Sequence, residues 1–69
     1  MNNSATEIAK IKIAHLTQAL EKIEVLIKDR ECAPETKANE QAIKNLTHHR
    51  EILIEQIEMT KEYLANEPN

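Results

Sequence analysis

The sequence predicts an all-α chain: an antiparallel two-helix hairpin that completes a four-helix bundle by dimerisation or by docking on a helical partner. Three observations predict it. Gly, Phe and Trp are absent, while Ala, Leu, Ile, Glu, Lys and Gln, all good or acceptable helix formers, dominate. Apolar residues recur three and four positions apart rather than alternating, which is the helical period. Two such stripes also match in reverse order: Ile27 with Ile43, Ile23 with Leu46, Leu16 with Leu53, Ile13 with Ile57, Ala9 with Thr60, and Thr6 with Leu64. Each pair of residue numbers adds to about 70, as in a chain folded back on itself near its middle. One layer is polar, where Leu20 meets His49 and Arg50.

The first helix is expected over about residues 5–31. Ser4-Ala5-Thr6-Glu7 reads as a capping box, with Ser4 accepting from the Glu7 N–H and Glu7 reaching back. With heptad position a at Thr6, Ile13, Leu20 and Ile27, the d positions are Ala9, Leu16, Ile23 and Arg30. Ala19 and Leu26 at g widen the stripe beyond what a strict two-stranded seam needs.

A turn is expected over about residues 32–34. Pro34 suits the first turn of a helix, where its missing N–H costs nothing, and it biases Ala33 out of helical dihedrals. Glu35 favours the positive end of the following helix dipole. Thr36 is the rival N-cap and would lengthen the connection by two or three residues. The second helix is expected over about residues 35–66, with Pro68 beyond it. The helices would be roughly 40 and 45 Å long at ~1.5 Å per residue. A short connection makes them antiparallel neighbours within one domain spanning 1–69. The second seam is Ile43, Leu46, Leu53, Ile57, Thr60 and Leu64, flanked by Ala42 and Tyr63.

Several apolar residues fall off the seam. Ile8, Ile11 and Val25 sit at c and f of the first helix, and Ile52, Ile54 and Met59 at c and e of the second. Ile8, Ile11, Met59 and Tyr63 share the open end of the hairpin, where such a patch marks an interaction surface. A chain of 69 residues buries only about 60% of its unfolded surface and needs help to be stable. Disulfides within a monomer are excluded, because Cys32 is the only cysteine. Oligomerisation is the remaining route. The partner is expected to be a second copy, a helical protein, or both.

No motif points to catalysis, and no cofactor is expected. His48 and Glu51 share a helix face, but two ligands do not make a zinc site. His15 could join them only by an awkward reach or from a second subunit. Cys32 at the turn has no positioned base nearby, as a nucleophile requires. Arg50 at an a position reads as a snorkelling or register-setting residue that could pair with Glu21, Glu24 or a partner's carboxylate. His49 beside it would weaken assembly below pH ~6 if the imidazole is buried.

Charge narrows the partners. The net charge is −3, and the acidic stripe of Glu51, Glu55, Glu58 and Glu62 reads as a solvated face, with a docking surface for a basic partner as the alternative. Phosphate contact needs clustered Lys or Arg, so the balance disfavours nucleic acid. No apolar run approaches 18 residues, and Met1-Asn2-Asn3-Ser4 has neither a basic nor a long apolar region, so neither a membrane span nor a secretory signal is expected. With the lone thiol, this predicts a cytoplasmic protein.

The expected function is a non-enzymatic protein-protein interaction module: a small adaptor, co-chaperone or inhibitor working through apolar helix faces. The layout and the Ile-rich segment from Ile52 to Leu64 resemble the hairpin co-chaperones of type III secretion needle subunits. That resemblance implies a cytoplasmic complex with a helical-repeat chaperone that keeps needle subunits unpolymerised. The layout also resembles the plasmid Rop-like hairpin, a dimeric four-helix bundle binding paired RNA loops, but the equivalent surface here is not basic. A small phage or plasmid regulator that occludes a host protein is the other alternative.

Overall fold

The computed structural model describes residues 3–66. Met1, Asn2 and Pro68, which entered the sequence reading, lie outside them. The chain forms two helices, α1 (Asn3–Glu31) and α2 (Lys37–Ala65), packed against one another as a hairpin measuring 54 × 15 × 12 Å. No helix among the described residues is long and apolar enough to cross a membrane.

The apolar period places the core where the two stripes meet. Ile23, Ile27 and Leu53 are buried and form its centre, with Leu16, Ala19, Leu20 and Leu46 packed against it. Ala9, Ile57 and Thr60 are also buried, towards the open end. Ile13, Ile43 and Leu64 are half-buried. No side chain among the described residues is completely buried, because a helix pair can cover each seam from one side only. Thr60 occupies a d position without a polar penalty, since its Oγ1 donates to the Gln56 carbonyl at 2.7 Å.

Both helix starts differ from expectation. Ser4 lies inside α1 rather than capping it, so the capping box with Glu7 does not form. Nothing about Ser4 obliges a helix to begin there, since serine is tolerated in a helical turn at modest cost. Thr36, and not Pro34 or Glu35, starts α2. Its backbone is extended, its Oγ1 accepts from the Asn39 N–H at 3.1 Å, and its carbonyl accepts from Glu40 at 2.9 Å. The connection therefore spans residues 32–36 rather than 32–34.

Asn39 explains the preference for Thr36. Its Nδ2 donates to the Pro34 carbonyl at 2.7 Å, and its Oδ1 accepts from Arg30 Nη1 at 3.0 Å. One side chain thus ties the end of α1, the turn and the start of α2 together. The end of α1 is completed by Cys32 N–H to the Lys28 carbonyl and Ala33 N–H to the Arg30 carbonyl. At the far end, the Asn66 N–H closes α2 onto the Glu62 carbonyl at 3.0 Å.

Candidate functional site: a groove at the open end

Towards the open end the seam alternates Ile57 with two small side chains. Ala9 and Thr60 are buried there, while the larger Ile8, Met59 and Tyr63 stand beside the seam, 65%, 63% and 50% exposed. Small residues on the seam with bulk on its flank leave a groove. Its volume is about 730 Å³, with Ala9 and Thr60 at its base. Ala5, Ile8 and Lys12 of α1 form one wall. Ile52, Gln56, Met59 and Tyr63 form the other, with Glu55 on the outer α2 rim.

The groove gathers four of the off-seam residues singled out from the sequence: Ile8, Ile52, Met59 and Tyr63. Ile11 is exposed but does not line it. Val25 is exposed on the outer side of α1, where it borders a separate shallow depression with Leu26 and Lys22. Ile54, at e, lies on the opposite flank of α2 from the groove. Leu26 was expected to widen the seam but is exposed. At its level α2 offers only Ala42 and Asn45 at g and c, too little to cover it.

The groove is one end of a longer face made of positions g and c on both helices. These positions repeat four and three residues apart, so they form one continuous strip along each helix. On α1 the strip runs Ile8, Lys12, His15, Ala19, Lys22, Leu26; on α2 it runs Asn45, His49, Ile52, Gln56, Met59, Tyr63. Charge is sorted sharply by heptad position. Glu7, Glu21, Glu24 and Glu31 of α1, and Glu40, Glu51, Glu55, Glu58 and Glu62 of α2, all fall at b, e or f. Within the helices only Asp29, next to the turn, falls at c or g. The c and g positions therefore carry Lys12 and Lys22, but Glu55 lines the groove with Lys12, and Glu21 lines the depression beside Lys22.

The polar layer divides. Arg50 is half-buried on the seam, beside a half-buried Leu20. His49 is exposed and belongs to the g strip. The hairpin thus holds no buried His49 imidazole. His15 and His48 are exposed on separate helices, and no group of three His, Cys, Asp or Glu among the described residues is arranged to hold a metal. Cys32 is exposed at the turn.

Lys12 and Gln56 were missed as wall residues by a reading that followed apolar residues alone. Heptad lettering carries the signal, since both sit at g. No protein-family model matches the chain, and neither the search of curated proteins nor that of solved structures finds a significant match.

Proposed function

We propose that the chain is a non-enzymatic protein-protein interaction module that completes its core by taking a further helical surface against the groove-side face. One observation carries this reading: the hairpin exposes more surface than a self-sufficient protein of its size. A compact monomer of 7.9 kDa exposes about 4,400 Å². This chain exposes 5643 Å², leaving an excess of about 1,200 Å², more than the ~800 Å² each partner contributes to a standard specific interface. The exposed Ile8, Ile52, Met59 and Tyr63 supply the apolar centre such an interface needs.

Two hairpins laid face to face would give a four-helix bundle, and a hairpin laid on a partner's helices would give the same packing with other sequences. Adaptor, co-chaperone and occluding inhibitor are all uses of that one physical act. The test is light scattering with thermal melts on the purified chain across the micromolar range. The reading expects either self-association or a marginal monomer with a low, broad melt. A cooperative, concentration-independent monomer melting in the range usual for mesophilic domains, about 45–65 °C or higher, would contradict it.

A further inference from the structure

The groove carries its two charges on opposite walls, and that arrangement is self-complementary. From it we infer that the occupant of the groove-side face is a second copy of this chain, laid open end on open end. This rests on the interaction reading above and adds the partner, its orientation and its register. Lys12 stands in the α1 wall and Glu55 on the α2 rim, both exposed and at nearly one height along the hairpin. A two-fold axis running along the hairpin sets α1 of one copy over α2 of the other without changing heights. The rule that pairs the helices within one chain, residue numbers adding to about 70, then also holds across the interface. Ile8 falls between Met59 and Tyr63 of the second copy. Lys12 falls over Gln56 of the second copy, with its Glu55 beside them at the outer edge. By symmetry each contact is made twice, so two Lys12–Glu55 pairs flank a shared apolar centre. All neighbouring helices in the resulting four-helix bundle are antiparallel.

The other two-fold arrangement fits less well. An axis running across the hairpin lays the open end of one copy on the turn end of the other, with α1 on α1 and α2 on α2. It sets Lys12 level with Lys22 of the second copy, like charge on like, and lays Met59 over Asn45. With the open ends together, apolar residues meet one another and each Lys12 meets a carboxylate, which fixes orientation and favours encounter. The face thus supplies its own complement. The area also suffices, since the excess of about 1,200 Å² over a compact monomer exceeds the ~800 Å² that each partner gives a standard interface.

The test uses the full chain with nothing added. Sedimentation equilibrium at micromolar concentration should give about twice the monomer mass of 7.9 kDa. Spin labels on the native Cys32, exposed at the turn, should lie within about 35 Å of each other by double electron–electron resonance, since a bundle is only about two helix diameters of ~10–12 Å across. A separation near 54 Å, the length of the hairpin, would show the opposite-ends dimer and overturn the inference. The charge pairing is tested by mixing a Lys12→Glu chain with a Glu55→Lys chain, one of them ¹⁵N-labelled, and counting species by native mass spectrometry. Only the heterodimer sets opposite charges across the interface, so its formation constant should exceed the statistical value at least about fivefold. A Glu24→Lys chain has the same net charge as Glu55→Lys but is altered at position e, on the far flank of α1, and should show no such preference for the Lys12→Glu chain. A statistical mixture with Glu55→Lys, or the same excess with Glu24→Lys, would overturn the inference. An Ile8→Ser/Met59→Ser chain should raise the dissociation constant at least about tenfold, and an unchanged constant would overturn the inference as well. A marginal monomer that does not self-associate would assign the face to another protein, overturning the inference and leaving the interaction reading standing. A stable, cooperative monomer would overturn both.

Discussion

The two ends of the hairpin solve different problems. At the turn, the large seam residues Ile23 and Ile27 are buried, and Asn39 links Arg30, Pro34 and Thr36 through hydrogen bonds. At the open end, the seam sets Ile57 beside the small Ala9 and Thr60, and Ile8, Met59 and Tyr63 stand exposed on its flank. A hairpin built only to hold itself together would place larger residues at those two small seam positions. The contrast fits the proposal that the turn end supplies cohesion while the open end takes a partner.

That contrast can be broken by substitution. The largest effect is expected at Leu53, which sits in the central cluster. Leu53→Ala should destabilise the chain by about 2–4 kcal/mol through lost burial and the cavity left behind, enough to abolish the helical signal in circular dichroism at room temperature. Next comes the open end. Ile8→Ser with Met59→Ser should leave folding stability within about 0.5 kcal/mol, as expected for exposed sites. The same change should weaken binding of an amphipathic helical peptide by about tenfold, read by fluorescence anisotropy, because these residues form the apolar centre of the proposed surface. Stability lost without loss of binding would reverse the roles assigned to the two ends.

Smaller effects sharpen the account of the turn. Asn39→Ala removes the bonds to Arg30 and Pro34 and should cost about 1 kcal/mol, given that these are exposed contacts. Urea denaturation would read it as a lower midpoint at unchanged slope. Thr36→Ala removes the N-cap and should cost about 0.5–1 kcal/mol, with Thr36→Ser recovering most of it. If Pro34 were the effective start of α2, Thr36→Ala would be silent.

The seam was legible in the sequence because burial follows a period of 3.6 residues, and Ile23, Ile27, Leu53 and Ile57 repeat on it. The open-end surface was legible only in part. Ile8, Ile52, Met59 and Tyr63 were visible as apolar residues off the seam, but Ile11 and Val25 looked equivalent and yet do not line the groove. The start of α2 was ambiguous because Pro34 and Thr36 are both sound local signals. The choice is fixed by Asn39 meeting Arg30, nine residues back in the chain, and no local rule encodes that contact. The Ser4 box failed in the opposite way: the pattern was complete, yet α1 begins before it.

The difference between the two ends is tested most directly by nuclear magnetic resonance. Uniformly ¹⁵N-labelled chain would be titrated with an amphipathic helical peptide carrying a Leu/Ile stripe while every backbone amide is followed. The largest shifts are expected at Ile8, Lys12, Ile52, Met59 and Tyr63, with little change from Thr36 to Asn39. Shifts centred on the acidic stripe from Glu51 to Glu62, or spread evenly over both ends, would contradict it.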